Sequence, residues 1–111
     1  MADRRLPVIW AHAAVRDLEE IVSFVASDSP VALERLLEQL RAKAGSLETN
    51  PRRGRIVPEL QRMGMRTSRE LVVRPYRLLY RVTDKAVVVL AVFDGRRDLE
   101  DVLLERVVRE P

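Results

Sequence analysis

The sequence predicts an α+β fold: an N-terminal strand and a helical hairpin packed on a small twisted antiparallel β-sheet, with a C-terminal helix. Three observations lead there. Apolar residues recur at helical spacing from Ala14 to Leu47. Beyond Gly54 the period changes, and β-branched and aromatic residues dominate from Leu71 to Phe93. Helices therefore precede a run of strands joined by short turns, the order expected when helices gather on one face of an antiparallel sheet. A chain of 111 residues is sized for a single domain, 1–111.

Leu6 to Trp10 is a short apolar stretch with Pro7 near its start, which suits an edge strand. A helix follows. Ala14, Leu18, Ile21, Val22 and Val25 form one stripe, and Arg16, Asp17, Glu19, Glu20 and Ser23 take the other side. Ser27-Asp28-Ser29-Pro30 ends it, and Ser29 with Pro30 supplies an N-cap and first residue for the next helix. That helix runs from about Pro30 to Glu48, with Leu33, Leu36, Leu37, Leu40, Ala44 and Leu47 on its apolar side. The pair makes an αα-hairpin.

Asn50-Pro51 and Gly54 mark a turn. Arg55 to Leu60 reads as extended, and Gln61 to Thr67 as a loop containing Gly64. Arg69 to Arg74 is a weakly alternating strand, and Pro75 separates it from the strand Tyr76–Thr83. Asp84-Lys85 is a tight hairpin connection. Ala86 to Phe93 is almost wholly apolar and β-branched, as a central strand buried on both faces would be. Asp94-Gly95 ends it. A last helix spans Asp98 to Arg109, with Leu99, Val102, Leu103 and Val107 on one face.

Composition narrows the function classes. The chain has no cysteine, which excludes disulfides and thiolate metal sites. His12 is the only histidine; it precedes the first helix and reads as a surface or capping residue. No metal site and no cofactor are expected, and no nucleotide-binding fingerprint is present. Residues 1–10 lack a long apolar run, so no signal peptide is expected. The longest apolar run, Ala86 to Phe93, is too short to span a membrane. A cytoplasmic location fits.

The charge distribution is uneven. Residues 52–81 hold nine arginines against two acids, Glu59 and Glu70, for a local net of +7 within a chain of formal net charge +3. Codon bias explains arginine over lysine but not the clustering. Alternation along the strand places Tyr76, Leu78, Tyr80 and Val82 on one face, toward the hairpin, and Arg77, Leu79 and Arg81 on the other. Arg77 and Arg81 are then expected on an open sheet face, about 13 Å apart by strand rise. The expected anion-binding patch comprises Arg55, Arg69, Arg74, Arg77, Arg81, Arg96 and Arg97. Guanidinium forks suit phosphates and carboxylates, so nucleic acid and an acidic protein are both candidate partners.

These pieces together resemble the RelE/ParE toxin superfamily of bacterial toxin–antitoxin modules, the plasmid stabilisation proteins. The similarity rests on Trp10 with Ala14 and Asp17-Leu18, Asn50-Pro51 with Gly54-Arg55, Arg69-Glu70-Leu71-Val72, and Pro75-Tyr76-Arg77-Leu78-Leu79-Tyr80-Arg81-Val82. Gly95-Arg96-Arg97 after the last strand completes it. The resemblance implies a cognate antitoxin and, in the ParE-like branch that is favoured, inhibition of DNA gyrase by binding. The alternative is a RelE-like ribosome-dependent mRNA endoribonuclease, in which Arg77 and Arg97 match the phosphate-binding arginines; a divergent or inactive nucleic-acid-binding module is a third reading. Homodimers and toxin–antitoxin heterotetramers both occur in such a family.

The proton-transfer part of a ribonuclease site departs from the RelE pattern. Residues 98–111 hold no Tyr and no His, and residues 68–74 hold no Lys. Cleavage through a 2′-hydroxyl needs a base and an acid beside the cation, and arginine does not release its proton near neutral pH. Glu70 or Glu100 is the carboxylate that could stand in. No confident catalytic residue is assigned.

Overall fold

The computed structural model describes residues 5–109, with side chains as far as Arg106. Strand β1 (Val8–Trp10) leads into a hairpin of two helices, α1 (His12–Asp28) and α2 (Pro30–Ser46). Then come β2 (Arg55–Ile56), a single helical turn α3 (Pro58–Gln61), the strands β3 (Ser68–Val73), β4 (Tyr76–Val82) and β5 (Val87–Asp94), and α4 (Leu99–Arg109). The sheet order is β1-β5-β4-β3-β2. It is antiparallel from β5 through β2, and β1 adds to its edge in parallel with β5.

Local chemistry sets the joints. Ser29 Oγ accepts from the Ala32 amide at 3.2 Å and Pro30 occupies the first turn of α2. Thr83 Oγ1 accepts from the amides of Lys85 and Ala86, closing the β4–β5 hairpin around Asp84-Lys85. His12 opens α1 and is exposed; the N-cap is Ala11, without a side-chain bond. The extended stretch expected from Arg55 to Leu60 stops after two residues. Pro58, with its fixed φ and no amide to lose, starts α3 instead. Gly54 is required by close packing: a Cβ there would lie 2.5 Å from the Glu70 carbonyl oxygen and 2.6 Å from the Tyr80 hydroxyl.

The sheet carries two cores. On one face Leu36, Leu40, Ala44 and Leu47 of the hairpin region meet Leu71, Tyr76, Leu78 and Tyr80. On the other, Leu79, Ala91 and Phe93 are covered by Val57 and Leu60 around α3 and by Leu99 and Val102 of α4. The face expected to be open is therefore closed. Leu79, Ala91 and Phe93 need cover, the hairpin already occupies the opposite face, and the apolar side of α4 must bury itself somewhere. On α4, Leu103 is exposed rather than inward-facing, and the side chain of Val107 lies outside the described residues.

A bulge explains the unbroken apolar run of β5. Leu79 pairs with Ala91 but Tyr80 pairs with Val89, so Leu90 is the extra residue. The shift moves Val87, Val89 and Val92 to the hairpin face while Ala91 and Phe93 face α4.

Candidate functional site

Arg77 follows the alternation of β4 onto the α3/α4 side of the sheet, where it is 8% exposed rather than open to solvent. Its Nε donates to Glu70 Oε1 at 2.8 Å. Its Nη1 and Nη2 grip the two oxygens of Glu59 at 2.7 and 2.9 Å, and Nη2 also donates to Glu70 Oε1. The guanidinium carbon sits 5.2 Å from the centre of the Phe93 ring.

The sequence brings these groups together in three ways. Glu70 faces Leu79 across the β3–β4 ladder and so lies diagonal to Arg77 on the same face. Arg55 lies directly opposite Glu70 on β2, and its Nε donates to Glu70 Oε2 at 2.6 Å. Pro58 then turns the chain into α3 and swings Glu59 across the fork of Arg77. Arg55, Glu70, Arg77 and Glu59 form an alternating row with zero net charge. Its centre is dry: Glu70 is 2% exposed, and no buried side-chain polar atom among the described residues lacks a partner. The hydrogen bond from Arg77 is the main reason the Glu59 carboxyl is held down at about 2. Arg77 is raised in turn, chiefly by Glu59.

The other expected patch residues are dispersed. Arg69 lies on the hairpin side with its Nη1 on the Gly54 carbonyl at 2.7 Å. Arg96 is paired with Asp94, and Arg97 with Glu105 of α4. Arg74 and Arg81 are exposed and form no salt bridge among the described residues. Arg77 and Arg97, the two expected phosphate ligands of the nuclease reading, each hold a carboxylate of their own.

One constellation escaped the sequence reading. Asp17 does not point to solvent with its neighbours. It accepts from the Val92 amide at 3.0 Å, beyond the last pairing with β1, and from Arg106 Nη2 at 2.6 Å. Arg106 also donates to the carbonyl of the bulge residue Leu90 at 3.0 Å. Burial is the main reason the Asp17 carboxyl is raised. The signal was its spacing: Asp17 is three residues after Ala14 and four before Ile21, on the inward stripe. Beside this pair a cleft of about 350 Å³ opens between α1, α4 and the end of β5, with Phe24 and Tyr76 on its walls.

The fold has known counterparts. Residues 8–99, from β1 to the first residue of α4, match the family model described as the ParE toxin of the parDE type II toxin–antitoxin system. The chain belongs to the ParE toxin family. Toxin RelE2 of Caulobacter vibrioides is 35% identical over 91 residues, spanning 81% of this chain and 96% of that protein. Among solved structures, the chromosomal ParDE toxin–antitoxin system of P. aeruginosa superposes with a TM-score of 0.66 at 18% identity, covering 82% of this chain and 97% of its own. The RelBE2 toxin–antitoxin complex of Mycobacterium tuberculosis gives 0.54 at 26% identity, covering 81% and 91%. This toxin thus shares its architecture with both branches of the RelE/ParE superfamily. Among the described residues no helix is long and apolar enough to cross a membrane, and no three His, Asp or Glu side chains gather as a metal site.

Proposed function

We propose that this toxin acts by binding rather than by chemistry: it engages DNA gyrase in the ParE manner and is silenced by a cognate antitoxin. The carrying observation is the condition of Arg77. A guanidinium that spends four of its five N–H donors on Glu59 and Glu70 has its fork filled by carboxylates and cannot grip a substrate phosphate in bidentate fashion. The Glu59 carboxylate beside it is a poor proton acceptor, since it is held at about 2. The match to the parDE family model supports the same reading. A cytoplasmic location goes with such a target. The ParDE and RelBE2 neighbours are toxin–antitoxin assemblies, which supports an antitoxin partner; a toxin homodimer or a toxin–antitoxin heterotetramer is part of the same proposal.

The 35% identity to a toxin named RelE2 favours a second reading, a ribosome-dependent mRNA endoribonuclease with Arg77 and Arg97 on phosphate. That reading requires Glu59 to leave the fork. Purified toxin added to gyrase is expected to inhibit supercoiling and to trap cleaved DNA. Undisturbed supercoiling, together with ribosome-dependent cuts in mRNA, would overturn the gyrase reading in favour of the nuclease.

A further inference from the structure

Two polar atoms stand unused in the cleft between α1, α4 and the end of β5. The first belongs to Tyr76. This residue is only 8% exposed, yet its hydroxyl makes no hydrogen bond among the described residues. The other buried tyrosine, Tyr80, accepts from the Gly54 amide at 2.9 Å. The second atom is Oδ1 of Asp17. Both bonds to this carboxylate, from the Val92 amide and from Arg106, fall on Oδ2. No sealed side-chain polar atom among the described residues lacks a partner, so both oxygens reach open space. The space that both residues line is this cleft. They are also neighbours by register. Tyr76 pairs with Asp94 and Leu78 with Val92, so Tyr76 lies diagonal to the residue whose amide holds Asp17.

The cleft suits an amphipathic molecule. Its volume of about 350 Å³ falls within the range of small-molecule sites, roughly 300–1,000 Å³. Ile21, Phe24 and Val102 supply apolar wall, and Phe24 is 74% exposed. The charges favour a cation. Four carboxylates line the cleft, Asp17, Glu20, Asp94 and Glu105, against two arginines. Arg106 is taken by Asp17 and the Leu90 carbonyl, and Arg97 by Glu105; Arg96, outside the lining, holds Asp94. Burial raises the Asp17 carboxyl, and the Glu20 charge adds to the rise. Burial raises the Tyr76 hydroxyl, and the Asp94 charge adds to that rise. Each unused oxygen therefore feels the negative field of a second carboxylate. We infer that this cleft binds a small organic cation, a primary ammonium on an aromatic or aliphatic body, with the ammonium on Asp17 Oδ1 and Tyr76 Oη and the body against Phe24 and Val102.

Other occupants fit less well. An anion would have to part Arg97 from Glu105 or Arg106 from Asp17. A wholly apolar molecule would strip water from two oxygens and return no hydrogen bond. A bare metal ion lacks ligands, because among the described residues no three His, Asp or Glu gather. An ammonium has donors for both oxygens and a positive charge that an aromatic face attracts. The inference goes beyond the toxin reading and depends on neither gyrase nor the antitoxin.

The test titrates phenethylamine into the isotope-labelled full-length toxin and follows amide shifts by NMR. Saturable binding is expected, with the largest shifts at Phe24, Tyr76 and Val92. Hydrocinnamate, the matched anion, should not bind there, and phenethyl alcohol, the matched neutral molecule, should bind at least about tenfold more weakly. Tyr76→Phe removes a hydroxyl that bonds nothing in the protein, so the fold should survive while affinity falls about fivefold. Asp17→Asn should weaken binding at least about tenfold. Should Asp17→Asn unfold, Tyr76→Phe and the three probes decide alone. Shifts that do not saturate, equal affinity for the three probes, or unchanged affinity in Tyr76→Phe would each overturn the inference. So would a capped phenylalanyl-lysine dipeptide binding where phenethylamine does not, which would assign the cleft to a partner protein instead.

Discussion

A guanidinium buried between two carboxylates is stable only as a complete set. Removing one partner leaves a desolvated charge without its counter-ion, and the cost depends on whether water can reach the gap. Glu70 is sealed while the Glu59 side chain is 30% exposed. Glu70→Gln is therefore expected to destabilise by about 3–5 kcal/mol, and Glu59→Gln by clearly less, both measured by urea unfolding. The pair also sets the acid limb of stability. The carboxyl of Glu59 is lowered from 4.5 to about 2, so its contribution is complete above pH 4.5 and is lost as the pH falls toward 2. Asp17 runs the other way: raised by burial, it favours the folded state at low pH, and that contribution fades as the pH rises through its folded value. Thermal melts between pH 5 and 2.5 should show a flatter acid limb in Glu59→Gln than in the parent. Identical limbs would mean that Arg77 does not hold Glu59 in solution.

At the scale of elements, the bulge in β5 creates a need that α1 and α4 meet. β1 pairs with β5 only as far as Val89, and the next unpaired groups are the Leu90 carbonyl and the Val92 amide. Arg106 and Asp17 satisfy them and then bond to each other, which ties both helices to one strand. A double-mutant cycle of Asp17→Ala and Arg106→Ala should give a coupling energy of about 0.5–3 kcal/mol. Arg106→Ala alone should speed amide exchange in α4 more than in α2; equal effects on both helices would contradict a local anchor. The same elements mark how far the sequence could be read. Helices α1 and α2, the Ser29-Pro30 joint, and strands β4 and β5 were legible because each rests on its own periodicity or capping chemistry. Alternation also put Arg77 on the correct face. It could not say that the face was covered, because cover depends on where α4 docks, a tertiary fact with no local signature. The bulge was hidden for a related reason: a run apolar at every position has no parity to break. Glu59 and Glu70 were visible as the acids of the arginine window, yet their convergence on Arg77 needed the β3–β4 register and the turn at Pro58.

At the scale of the molecule, that convergence redistributes the charge. With both acids of the window committed to Arg77 and Arg55, the excess of residues 52–81 falls on the remaining arginines. Arg62, Arg66, Arg74 and Arg81 are exposed and form no salt bridge among the described residues. Arg96 and Arg97, by contrast, are each matched by a carboxylate. Screening at physiological ionic strength has a reach of about 8 Å, short against a molecule 47 Å long. An anionic partner therefore responds to the charge near its docking point and not to the net +3 of the chain. Two double variants with the same change in net charge separate these cases. Lys43→Ser with Arg74→Ser should slow association with an acidic peptide of alternating valine and glutamate several-fold, because both line the groove between α2 and β3, whose lining holds no acid. Arg96→Ser with Arg97→Ser should slow it less, because those charges were already neutralised locally. Stopped-flow association at low salt should reveal the difference, and raising the ionic strength to about 0.5 M should erase it. Stability should change little in the groove pair, by about 1 kcal/mol or less, so a slower rate would not reflect unfolding. Equal slowing by the two pairs would mean that net charge, and not its placement, steers the partner.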